Sequence, residues 1–223
     1  MAGRTTLTAL GVALGVAALL AAAAIWLATR SGPARAGLEH ALVGDALLAY
    51  PAAYARTPLA APAGRVERLD LAAAFPDFQP AGEAKGATTQ AELAARAERL
   101  VFLALTADDK SLEPAERPAK LYAPFLEPIG YARPGGLVMR RFQQGSPYEG
   151  ETLMMTPPEG RAFWARCPAQ AEGGAQGLRE PCFTEMRLDG LNLTLRFSPA
   201  LLPDWERLRD GARALVEGFR KRA

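Results

Sequence analysis

Hydrophobic and polar positions divide the chain into stretches of different periodicity. Between Arg4 and Arg30 lies a run of 25 residues without a charge. Its apolar core, 7–28, is long enough at about 1.5 Å of rise per residue for a helix to cross a hydrocarbon layer of about 30 Å. Trp26 falls where an interfacial aromatic sits. A secretory signal has a shorter apolar region, about 7 to 15 residues, and the nearest small-residue site, Ala34-Arg35-Ala36, lies too far downstream. The expectation is therefore an uncleaved transmembrane anchor over 1–30, a small-residue tether over 31–40, and one domain over 41–223.

Within that domain the first half reads unevenly. Residues 41–50 and 66–75 alternate enough to be strands, with a proline-rich connector between them, and 82–88 reads as a loop. Thr89 is placed to cap a helix over 90–99 with Leu93, Ala97 and Leu100 on one face, and 101–105 (VFLAL) is a continuous apolar run that predicts a buried strand. Ser111, Pro114, Leu121, Tyr122 and Phe125 predict a short helix over 111–125, closed by Pro128 and Gly130.

The second half is clearer. Residues 137–142, 152–156, 162–167, 182–188 and 191–197 read as five strands, mostly with short connections. Asp189-Gly190 is a strong hairpin signal, because both positions tolerate positive φ. Leu191, Leu193, Leu195 and Phe197 alternate with Asn192, Thr194 and Arg196, which predicts one packed face and one wet face. After Ser198-Pro199, Pro203 suits the first position of a helix, and Leu201, Trp205, Leu208, Ala212, Leu215 and Phe219 form its apolar stripe. The fold class this implies is α+β: an N-terminal transmembrane helix, then an antiparallel sheet packed against the C-terminal amphipathic helix and the mid-chain helices.

Charge narrows the function classes. The chain carries 26 Lys and Arg against 24 Asp and Glu, and with Arg4 and Arg30 set aside the rest balances. A balanced domain lacks the basic field that drives phosphate-backbone binding, so nucleic acid is excluded as a partner. The two cysteines, Cys167 and Cys182, end one predicted strand and begin the next across a loop holding Gly173, Gly174 and Gly177. A redox pair is usually C-x-x-C at a helix start. A structural disulfide fits better, and it implies an oxidising compartment: an inner-membrane, single-pass topology with the domain in the periplasm.

Candidate chemistry is sparse. His40 is the only histidine and predicts a surface position near the membrane, so no Ser-His or Cys-His constellation is available on it. Two cysteines and one distant histidine make no metal cluster, Asp108 and Asp109 read as solvated turn residues, and no cofactor motif is present. Arg140-Arg141 should split across the two faces of a strand. Asn192-Leu193-Thr194 matches the glycosylation sequon but falls mid-strand. The best candidate surface is 145–151 (GSPYEGE), where Tyr148 beside Glu149 and Glu151 suits a protein-binding loop. The same residues also suit two bland or different readings: ordinary hairpin chemistry with Tyr148 folded back on the sheet, or a hydrolase using Glu149 or Glu151.

VFLAL at 101–105, GSPYEGE at 145–151, Ala165-Arg166-Cys167 with Cys182, and the Trp205 helix together resemble uncharacterised bacterial proteins with one N-terminal span and a periplasmic domain. The cysteine pair followed by a hairpin and a Trp-bearing helix is similar in layout to periplasmic immunity proteins that block secreted toxins. That resemblance implies a membrane-tethered binding or accessory domain engaging another envelope protein, and by itself it specifies no activity.

Overall fold

The Asp189-Gly190 turn organises the centre of the molecule in the computed structural model, which describes residues 37–56, 64–82, 89–169 and 180–220. Both turn residues have positive φ, 39° and 82°. They join β11 (Cys182–Leu188) to β12 (Leu191–Phe197) in register from Leu188 opposite Leu191 to Cys182 opposite Phe197. β12 pairs along its length with β6 (Leu100–Ala107), and β6 with β4 (Arg68–Ala74). On the other flank lie β10 (Trp164–Pro168), β9 (Glu151–Met155), β8 (Leu137–Phe142) and β7 (Leu126–Arg133). With the two-residue β5 (Gln79–Pro80) at the opposite edge, the order is β5-β4-β6-β12-β11-β10-β9-β8-β7, antiparallel throughout.

A second sheet is formed by β1 (Leu38–Val43), β2 (Ala46–Pro51) and β3 (Arg65–Val66). Residues 41–50 are thus a hairpin and not one strand. The chain reverses at Gly44, whose φ is 59° and whose missing Cβ would fall 2.8 Å from the Ala107 Cβ; the Gly-Asp turn signal was masked by the apolar residues around it. β1 also begins at Leu38, inside the stretch read as tether.

The small sheet and helix α2 (Trp205–Arg220) cover one face of the large sheet. Phe219 sets its ring against Tyr54 at 5.2 Å and Tyr50 at 6.1 Å, and Trp205 stacks on Phe163 at 5.1 Å while its indole N–H donates to the Gly135 carbonyl. Leu208, Ala212 and Phe219 of the predicted stripe are buried with residues of the large sheet, giving a mixed α+β core, while Val216 is buried where the stripe placed Leu215, which is only half-buried. The helix starts at Trp205, not Pro203, because Pro199–Asp204 tightens into a 3-10 turn capped by the Ser198 hydroxyl.

The mid-chain helices do not cover this face. Helix α1 (Gln90–Glu98) has the expected Thr89 cap, with Glu92 returning a bond to the Thr89 amide, but buries no residue. Residues 114–125 form two 3-10 turns around a wide π-type turn, since Pro114, Pro118 and Pro124 interrupt any continuous helix. Pro128 and Gly130 do not close a helix; they belong to edge strand β7, whose register shifts between Leu126 and Gly130. Such an edge tolerates the missing proline N–H.

Gly37–Ala223 is one compact unit. The predicted span 5–29, the rest of the tether before Gly37, residues 83–88 of the predicted loop and Gly173, Gly174 and Gly177 lie outside the described residues. Among the described residues no helix is long and apolar enough to cross a membrane.

Candidate functional site

The opposite face of the sheet carries a separate hydrophobic cluster. Alternation along β8, β9 and β10 places Phe142, Leu153, Met155 and Trp164 there, and residues 114–126 fold over them, contributing Tyr122, Phe125 and Leu126. Trp164 is 1% exposed and its indole N–H donates to the Pro114 carbonyl at 2.7 Å, which pins this segment to the sheet. Tyr122 meets Phe142, Tyr148 and Trp164 edge-on at 5.2 to 5.9 Å. Burial pushes its phenol above the usual tyrosine range, and the nearby Arg166 charge only partly offsets that.

The 145–151 loop sits at the rim of this platform. Its backbone closes on itself: the Ser146 amide donates to Gln143, the Glu149 amide to Ser146 and the Glu151 amide to Tyr148, all at 3.1 to 3.2 Å. Tyr148 is half-buried. Its ring lies 4.9 Å from Phe142, 5.2 Å from Tyr122 and 5.7 Å from Phe125. It therefore folds back onto the sheet with part of its surface still open.

Glu149 accepts the Gly145 amide at 2.9 Å, and Glu151, at the start of β9, pairs with Arg166 at 2.7 Å. Each acid thus has a partner that holds the loop or the platform. Four clefts among the described residues are walled by other side chains.

Arg166 is the residue that sequence reading missed. Its guanidinium lies over three rings, 4.4 Å from Phe183, 4.8 Å from Tyr148 and 5.5 Å from Tyr122, with a side chain only 19% exposed. The available signal was alternation: Cys167 and Cys182 face inward, so Arg166 and Phe183 must face outward.

The remaining candidates take structural places. Cys167 and Cys182 are bonded, with Cα atoms 4.2 Å apart. They are the cross-strand pair next to Arg166 and Phe183, the one aligned pair joining β10 to β11. Arg140 and Arg141 split as expected: the Arg140 Nε donates to the Glu127 carbonyl at 2.9 Å and Arg141 lies over Tyr131 at 5.6 Å. Asp108 and Asp109 belong to a turn network around Arg187, Lys110, Ser111 and Asn192. Hydrogen bonds from Ser111 hold the Asp109 carboxyl down to about 2. His40 is half-buried on β1 opposite Ala49. No group of three metal-ligating side chains occurs among the described residues.

No protein-family model matches this chain, and a search of curated proteins likewise finds no match. Among solved structures, an immunity protein of the Stenotrophomonas maltophilia type IV secretion system aligns with a TM-score of 0.54 at 15% identity, covering 82% of this chain and 93% of that one. The iron-regulated outer membrane lipoprotein FrpD of Neisseria meningitidis aligns with a TM-score of 0.48 at 8% identity, over 84% and 94%. At these identities the first likeness is one of fold. The second carries no argument about function.

Proposed function

We propose that this protein is anchored in the inner membrane by its N-terminal apolar run and presents a periplasmic domain that binds another envelope or secreted protein, in the manner of an immunity protein. The observation that carries this reading is Tyr148, half-open on a preformed aromatic platform around a desolvated guanidinium. Interfaces draw much of their energy from aromatic and arginine anchors, and a platform already ordered in the free protein spares the entropy of ordering it on binding. The fold shared with a secretion-system immunity protein, the Cys167–Cys182 bond and the uncharged run between Arg4 and Arg30 point the same way.

Crosslinking in intact cells, followed by mass spectrometry of what co-purifies, tests the reading. Tyr148→Ala should keep the fold and remove the captured partner, whereas Glu149→Gln and Glu151→Gln should change recovery little. Recovery unchanged by all three would remove the loop as a binding site. Alkaline phosphatase fused after Ala223 should be active, and the protein should resist carbonate extraction; an inactive fusion would reverse the orientation, and a soluble product would mean that the anchor is cleaved.

A further inference from the structure

The strand registers align one cross-sheet row on the outer face of the large sheet. Ala72 lies opposite Phe102, Phe102 opposite Arg196, Arg196 opposite Phe183, and Phe183 opposite Arg166. From Phe102 to Arg166 this row spans about 14 Å, three strand spacings. Beyond it, the Arg56 guanidinium caps the Phe102 ring at 4.7 Å. Cations and rings therefore alternate: Arg56, Phe102, Arg196, Phe183, Arg166.

Charge along this row is not balanced. Arg166 has Glu151. The acids of the neighbouring row are already committed, Asp70 to Arg68 at 2.8 Å and Glu185 to Arg117. Among the described residues, Arg56 and Arg196 have no carboxylate within salt-bridge range, and both are exposed, while the Phe102 and Phe183 rings stay half-exposed between them. The 114–126 segment folds over the Trp164 end of the sheet, where Phe183 packs partly against it, while Arg196 and Arg56 farther along the row stay exposed.

We infer that this row is a docking surface for an acidic segment of a partner protein, its carboxylates meeting Arg56 and Arg196 and its apolar side chains meeting Phe102 and Phe183. The inference rests on the reading of the domain as a protein binder and adds the chemistry of what it binds. The Arg56 guanidinium, held over the Phe102 ring, is pre-oriented for a carboxylate and loses little freedom on pairing. A polynucleotide is the weaker occupant, because two uncompensated cations on a charge-balanced domain give little counterion release.

The test uses the full chain in detergent micelles with three labelled probes: a peptide of about twelve residues mixing Asp and Glu with Phe and Leu, the same peptide with Asn and Gln for the acids, and a single-stranded oligothymidylate. The acidic peptide should bind about ten-fold tighter than its amide isostere, and Arg196→Glu or Phe102→Ala should each erase about that factor, while Arg207→Glu, on the exposed side of α2, should not. Equal binding of the two peptides, or binding indifferent to Arg196→Glu, overturns the proposal. Tightest binding of the oligothymidylate overturns it in favour of single-stranded nucleic acid. Failure here leaves the broader reading separately decidable: a partner crosslinked in cells that depends on Tyr148 but not on Arg196 would keep the protein-binding function and discard this surface.

Discussion

The two flanks of the large sheet solve the same packing problem in different ways. In β6, β11 and β12 burial alternates, and β12 buries Leu191, Leu193, Leu195 and Phe197 while Asn192, Thr194 and Arg196 stay accessible. That flank is packed on one side, by α2 and the small sheet, and left partly accessible on the other. In β8, β9 and β10 the alternation breaks down, with Leu153, Met154 and Met155 all buried in sequence. There one face joins the main core and the other lies beneath residues 114–126. β6 is as apolar as β9 yet only half-buried on its outer face, so an apolar run alone does not decide a second cover; over β9 that cover is an irregular, proline-interrupted segment pinned by one indole.

The sharpest way to break this comparison is to remove the anchor of each flank. Trp205→Ala and Trp164→Ala should each cost about 3 to 5 kcal/mol, as aromatic truncations in a core do. Their hydrogen-exchange footprints should differ, however: Trp205→Ala should loosen both flanks through the shared core, and Trp164→Ala should loosen residues 114–126 and β10 first. Denaturant midpoints and exchange mapping check both. A loss below about 1 kcal/mol, the range of ordinary surface changes, would mean that the indole in question is not an anchor.

Next in size is the junction. β10 and β11 meet through one aligned pair beside the Cys167–Cys182 bond. Replacing both cysteines with serine should cost about 3 kcal/mol in the chain-entropy account of a fifteen-residue loop. Exchange protection should fall first at Arg166 and Phe183 while the β11–β12 ladder persists. Two free thiols in protein isolated from the periplasm would contradict the pairing and the compartment argued from it.

A smaller effect concerns the hairpin that centres the alternating flank. Gly190→Ala, at a φ of 82°, should lower stability by about 1 kcal/mol without changing the registers around it. Thermal unfolding measures the loss, and an unchanged midpoint would mean that the turn relaxes at no cost.

The least of these effects is acid dependence. Because Asp109 titrates near 2 when folded against 3.8 for the free side chain, its contribution is present above about pH 4 and lost as pH falls toward 2. Asp109→Asn should flatten that part of the acid-unfolding curve. An identical curve would show that the carboxylate adds nothing to the turn around Arg187.

Sequence alone determined the elements whose local and global signals agree. The periods of β8, β11 and β12, the Asp189-Gly190 turn, the Thr89 cap and the α2 stripe are each written within a few residues, so they were legible before any contact was known. The pairing of Cys167 with Cys182 was likewise fixed by count, there being only two. Tertiary structure decided the rest. The Gly44-Asp45 turn signal does not by itself say that 41–50 must reverse there, because part of the reason is Ala107 across the core. The edge strand through Pro128 exists because β8 needs a neighbour, and α1 buries nothing although its spacing is amphipathic. The outer row shows the limit most clearly: alternation tells that Phe102, Arg166, Phe183 and Arg196 face outward, but only strand order and register, set by long-range pairing, place them side by side.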